Sequence, residues 1–262
     1  MKIAILFCCI ITAAIAQAQS KVFKEVSDEI SSQMKIITQD DALIGYLVFT
    51  QLERANKDSF NYKIAIMDEN LNDIGTVNFK EENLELQDVS FEQDMLCLAY
   101  LKSNIRNTKG ANMRAFRKAV NDATNSVFTQ FINLQGKIIQ SGSYNVDLKT
   151  SEGLAYERGN SGTGIVGTLK HNIVLKNIPQ KGFTCFYGDE YKNKLLAFDI
   201  KGNPVWKKDI PDAEAFSLLT SGTNVYLLAK KKAEMLEGGY EVRGFNVMDG
   251  AAYDKYVLRD KK

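Results

Sequence analysis

Histidine occurs once and cysteine four times in 262 residues, and two of those cysteines stand within the first nine. A Ser-His-Asp or Cys-His mechanism would have to run through His171 alone. A zinc site would need that one imidazole, two separated cysteines and carboxylates, with no close ligand pair among them. His171 therefore reads as an ordinary surface or strand residue. Cys97 and Cys185 lie inside the apolar runs MLCLAY and FTCFYG, and two cysteines make no disulfide framework. They read as small buried hydrophobes with free thiols; one disulfide between them is the alternative. Charge of one sign is lacking too, with 33 Lys and Arg against 32 Asp and Glu. Nucleic-acid binding, which needs a basic surplus to displace counterions, is argued against. An anionic membrane surface is not favoured either. No apolar run reaches the ~20 residues that a bilayer span requires.

What is present begins with an export signal. Lys2 is the only charge in a short n-region, IAILFCCIITAAIA is apolar except for Thr12, and Ala16-Gln17-Ala18 supplies the small residues a signal peptidase reads. Cleavage is expected after Ala18. Cys8 and Cys9 stand too early in the run to favour a lipoprotein signal. Residues 1–18 are thus set apart as the signal, 19–33 as a polar tether, and 34–262 as the folded domain. Losing Lys2 leaves the two signs of charge equal. Such a chain belongs in the periplasm or is secreted.

The rest is a succession of short β-type runs with very little helix. Sixteen candidates fall into four groups of four, over about 34–80, 86–148, 169–211 and 214–259. The repeat is clearest where the third run of each group ends: Met67-Asp68, Ile132-Asn133, Phe198-Asp199 and Phe245-Asn246. Gly136 and Gly202 follow their Asn or Asp by three residues and Gly250 by four, whereas the first copy has its glycine late, at Gly75. Asp or Asn bonds the turn backbone, and glycine accepts the positive φ of a tight hairpin. A four-stranded meander cannot bury both faces alone, but stacked meanders can. The expected fold is all-β and β-propeller-like, with four blade-like four-stranded units. They close as a small ring, or form an incomplete ring that is a fragment or half of a dimeric one. A β-sandwich is the runner-up. By this register Cys97 and Cys185 fall at equivalent places in neighbouring units, where Leu227 stands in the fourth. Equivalent places lie roughly ~10 Å apart, too far for a disulfide.

The stretch LLAFDIKGNPVWKKDI resembles one repeat of the quinoprotein-like propellers, in Leu195-Leu196-Ala197-Phe198-Asp199, Gly202 and Trp206. The resemblance covers this stretch well and the other three copies in outline, with Gln140 where the second copy should carry Trp. It implies a blade of secreted bacterial propeller type, with Pro204 on an outermost edge strand. A quinone cofactor is not implied, because the residues that contact it have no match here.

Two stretches interrupt the pattern. Residues 103–124 contain a short helix beginning near Asn112, with Met113, Phe116 and Val120 as its apolar stripe and Arg114, Arg117 and Lys118 around it. An insertion inside a repeat often lies on a binding face. Arg114, Phe116, Arg117 and Lys118 are therefore the candidate partner-binding residues, and Lys230-Lys231-Lys232 is a second basic run. Residues 145–168 read as a Gly/Ser/Thr-rich loop; GNSGTGIVG lacks the Lys-Ser/Thr that closes a phosphate loop. DENLND spaces Asp68, Asn70 and Asn72 as a calcium loop would. However, Asp73 and Phe79 occupy the Gly and Glu positions, so a hairpin turn is expected. No catalytic residue, cofactor or metal site is assigned. The functional expectation is a non-enzymatic binding or scaffold protein with an unknown protein or polymer partner. The alternative is a secreted glycan-type hydrolase using paired carboxylates, from Asp40-Asp41, Glu81-Glu82 or Asp189-Glu190.

Overall fold

The computed structural model describes residues 31–56, 58–103, 114, 125–146, 154–158, 165–169, 172–188, 192–211, 213–231, 240–253 and 255–258. The expected export signal and most of the tether lie outside these residues. So do His171, Asp189 and Glu190.

The chain is all-β, built from four antiparallel four-stranded meanders. The first holds β1 (Ser31–Gln39), β2 (Ala42–Arg54), β3 (Phe60–Asp68) and β4 (Asp73–Glu81). The second holds β5 (Leu84–Glu92), β6 (Met95–Ser103), β7 (Asn125–Asn133) and β8 (Ile138–Val146). A two-stranded hairpin follows, β9 (Leu154–Arg158) with β10 (Ile165–Leu169). The third meander is β11 (Asn172–Ile178), β12 (Gly182–Gly188), β13 (Lys192–Asp199) and β14 (Pro204–Pro211). The fourth is β15 (Ala213–Ser221), β16 (Asn224–Lys231), β17 (Tyr240–Asn246) and β18 (Tyr256–Leu258). All sixteen expected runs fall on strands of these sheets. The loop expected over 145–168 is a correction: part of it forms β9 and β10. Its Gly, Ser and Thr content hid two five-residue runs, LAYER and IVGTL, that carry enough Leu, Tyr, Ile and Val to pair.

The repeated Asp or Asn holds the third hairpin of every sheet through a side-chain oxygen that accepts backbone N–H groups. Asp68 Oδ1 accepts the N–H groups of Asn70 (2.9 Å) and Asn72 (2.8 Å), and Oδ2 accepts from Asn72 Nδ2 at 2.9 Å. Asp199 does the same with Lys201 (2.9 Å), Asn203 (2.8 Å) and Asn203 Nδ2 (2.8 Å). Asn133 holds the N–H of Lys137 and Asn246 that of Met248, both at 2.8 Å. The bonds from Asn72 hold the Asp68 carboxyl below its ordinary range. At Asp199 burial pushes upward, but the donors of Asn203, Lys201 and Gly202 outweigh it and the net shift is down. The Asp68 segment is thus a hairpin turn. Among the described residues no group of three or more His, Cys, Asp or Glu converges as a metal site. The late glycine of the first copy has a physical reason. Leu71, at φ 65°, occupies the left-handed position that Gly136 (83°) and Gly202 (88°) fill elsewhere. Gly75 instead marks a close approach, since a Cβ there would stand 2.2 Å from Leu134 O on the second sheet.

Stacking of the sheets follows from strand periodicity. In each second strand, counting starts from the residue opposite the hairpin Asp or Asn, which is Gly45, Met95, Gly182 or Asn224. Side chains one, three and five places on face the preceding sheet; those two and four places on face the next. Leu96, Leu98 and Tyr100 accordingly meet Leu47 and Phe49 in the first interface. Cys97 and Ala99 meet Phe183, Cys185 and Tyr187 in the second. Phe186 meets Val225, Leu227 and Ala229 in the third. The first strands β1, β5, β11 and β15 lie side by side in chain order, as the inner strands of propeller blades do. Among the described residues, β15 and β1 do not pack together as consecutive inner strands do. Among the described residues the four blades form an open arc.

This register corrects the expected place of the cysteines. Cys185 is the equivalent of Leu227, but Cys97 stands one place earlier and is the equivalent of Tyr226. A one-residue offset reverses the face, so both thiols point into the same interface from opposite sheets. Both are free and buried. Burial, more than any neighbouring charge, pushes both thiols well above their ordinary range. Neither should react with a thiol reagent in the native chain, and both should react after unfolding in guanidinium, as read by peptide mapping. Native labelling within minutes at either site would refute this.

Candidate functional site

An inner strand pairs with its own sheet along one edge only, so the other edge leaves N–H and C=O groups to be satisfied. Here charged side chains of the neighbouring blade do this. Lys35 Nζ on β1 donates to Gln87 O on β5 at 2.8 Å. Asp88 Oδ2 on β5 accepts the N–H of Leu175 on β11 at 2.8 Å, and its Oδ1 accepts the N–H of Val89 at 2.9 Å. At the end of β5, buried Glu92 takes Asn177 Nδ2 and the N–H of Gln180, each at 2.9 Å. A bulge between Leu86 and Asp88 turns the chain so that Gln87 O and the Asp88 carboxylate serve opposite neighbours.

Asp88 is the most perturbed carboxylate of this row. Desolvation raises its pKa, and the N–H groups of Leu175 and Val89, then the charges of Lys35 and Lys176, counter it only in part. The raised value means that the folded chain favours the neutral acid. Its contribution to stability is full below the ordinary value of about 4 and is lost as pH rises through the folded value. Asp88→Asn keeps an acceptor for Leu175 and cannot ionise. The variant should lose that decline, as read by denaturant titrations from pH 3.5 to 7. Superimposable pH profiles would sink the assignment. Asp68 and Asp199, shifted down, act oppositely and at lower pH.

The other anchors are apolar with one polar tip. Tyr62 donates to Glu82 O at 3.0 Å and accepts from the N–H of Leu84 at 2.8 Å, and burial pushes its phenol up to about 12. Trp206 Nε1 donates to Val247 O on the fourth sheet at 2.6 Å. Buried Arg243 pairs with Glu241 two places along β17.

Of the candidate partner-binding residues, Arg114 is helical and exposed; Phe116, Arg117 and Lys118 lie outside the described residues. Lys230 and Lys231 end β16, with Lys232 outside. Asp40 and Asp41 form the β1–β2 turn, at φ 49° and 63°. Glu81 and Glu82 are held by Lys102 Nζ at 3.0 and 3.7 Å. The staples Asp88 and Glu92 were not singled out in the sequence. Their partners are 85 to 88 residues away, beyond any local pattern.

Fold and site together define an open, propeller-like stack of four blades, the first three of which are tied along the inner edge by charged side chains. The chain belongs to a family of unknown function (DUF6770), whose model matches residues 1–151, a span that includes the first two blades. No curated protein matches the chain. No helix among the described residues is long and apolar enough to cross a membrane.

Proposed function

We propose that this chain is exported and works outside the cytoplasm as a non-enzymatic binding or scaffold protein. The observation that carries the reading is the exposure of large apolar side chains on the two end faces of the arc. Ile36 is 62% exposed on the first blade, and Leu219 and Tyr256 are 58% and 68% exposed on the fourth. Large apolar side chains left exposed on both end sheets suit association with another molecule. Export is supported by Lys2, the apolar run after it and Ala16-Gln17-Ala18. The blades are of the quinoprotein-like kind, which the Asp199 turn and the Trp206 contact support. A propeller supplies surfaces and no chemistry by itself. Arg114, with Phe116, Arg117 and Lys118, offers a further contact for a protein or polymer partner.

Two measurements test this. Fractionated cells should yield the chain in the periplasm or medium, with a mass short by residues 1–18; a full-length cytoplasmic chain would overturn export. A photoreactive residue at 114 should give cross-linked adducts in that compartment. Turnover of a glycan that is abolished by Glu81→Gln would overturn the non-enzymatic reading.

A further inference from the structure

The face rule that governs the three interior interfaces also names the two free ends. Blade 1 presents outward the side chains one and three places on, Tyr46 and Val48, with Met34 and Ile36 paired beside them on β1. Blade 4 presents those two and four places on, Tyr226 and Leu228, with Leu219 opposite Tyr226 and Tyr256 opposite Val242. One end is thus a backward face and the other a forward face. That is the pairing by which each blade meets its neighbour inside the chain. In the three described interfaces no two backward faces and no two forward faces meet.

The open part of each end face runs along its inner strand, whereas Val48 and Met67 farther out on blade 1 are 3% and 0% exposed. Interior Leu98 and Leu227 are fully buried. Met34 and Ile36 on the first inner strand, and Leu219 on the last, are 49%, 62% and 58% exposed.

We propose that a second copy of this chain completes the arc. The forward face of blade 4 in each copy packs on the backward face of blade 1 in the other. The two junctions are identical and related by a twofold axis, so the assembly closes and does not grow into a fibre. Four blades and four make eight, within the range of propellers. β15 of one copy then lies beside β1 of the other, continuing the inner row. This rests on reading the end faces as association surfaces and names what they bind.

The full chain after signal removal should sediment as a dimer at micromolar concentration. Ile36→Glu alone and Leu219→Lys alone each bury an unpaired charge at both junctions. Each should weaken dimerisation by tenfold or more while leaving the far-ultraviolet circular dichroism spectrum unchanged. Mixing the two variants should restore a dimer containing one copy of each, because one junction then pairs Glu with Lys and the other is unaltered. A wild-type chain that sediments as a monomer overturns the proposal. So does a dimer that either substitution leaves intact, or one that mixing fails to restore. The assay contains no other molecule, so a monomeric result leaves the binding reading to the cross-linking at residue 114.

Discussion

Truncating Phe131 to alanine should lower the unfolding free energy by about 3–5 kcal/mol. Phe131 is fully buried on β7. Its ring lies 5.8 Å from that of Phe183 and 5.2 Å from that of Phe198, both on the third blade. Phe198 in turn meets Tyr144 of β8 edge-on at 5.7 Å. The alanine variant therefore loses packing within one blade and across the junction to the next. In a repeat protein, stability is close to a sum of unit and nearest-neighbour terms, so the loss falls on blade 2 and on its junction with blade 3. A domain stable by roughly 5–15 kcal/mol keeps only part of its margin. Phe131→Leu, which leaves most of the volume, should cost about 1–2 kcal/mol. Urea titrations read by Trp206 fluorescence check both. A Phe131→Ala loss below about 1 kcal/mol would mean that the two blades do not share a core there.

How much of this was written locally in the chain can be judged residue by residue. The hairpins at Asp68, Asn133, Asp199 and Asn246 were legible because their chemistry is local: a side-chain oxygen meets an N–H group two residues on, four residues on, or both. The strands were legible because apolar and β-branched residues mark each one. The four-blade grouping followed from the hairpins. The register of Cys97 was not, because residues 104–124 intervene between β6 and β7 and break the count back from Asn133. A slip of one place then exchanges the faces of a strand. Nor could Leu71 be placed in the left-handed position, since leucine is disfavoured there and Gly75 drew attention to itself. The inner-edge staples were the least legible. Asp88 and Glu92 are ordinary strand acids until β11 is laid beside β5, and that contact exists only in the assembled stack. The open arc belongs to the same class: whether β15 meets β1 depends on geometry accumulated over three junctions, which no single motif carries.

A methyl group added at position 202 should cost about 2–5 kcal/mol. Two terms add. The residue sits at φ 88°, where a side chain costs roughly 1–2 kcal/mol. Its Cβ would also stand 2.3 Å from Phe131 Cδ2, and overpacking of this kind costs a further 1–3 kcal/mol or so. The ring cannot swing aside, because Phe183 and Phe198 flank it. Gly222 separates the terms: its φ is 55° but nothing lies within 4 Å of a Cβ built there. Gly222→Ala should therefore cost only the backbone part, about 1–2 kcal/mol. Leu71→Gly should move the other way, gaining about 0.5–1 kcal/mol as left-handed strain is relieved against the added freedom of the unfolded chain. The decisive measurement is a double-mutant cycle. Phe131→Leu makes room for the new methyl, so the double variant with Gly202→Ala should be more stable than the sum of the two losses by about 0.5–3 kcal/mol. Strict additivity would show that the hairpin of blade 3 does not press on the core of blade 2. The reading of the repeat's glycines as points of contact between blades would then fall with it.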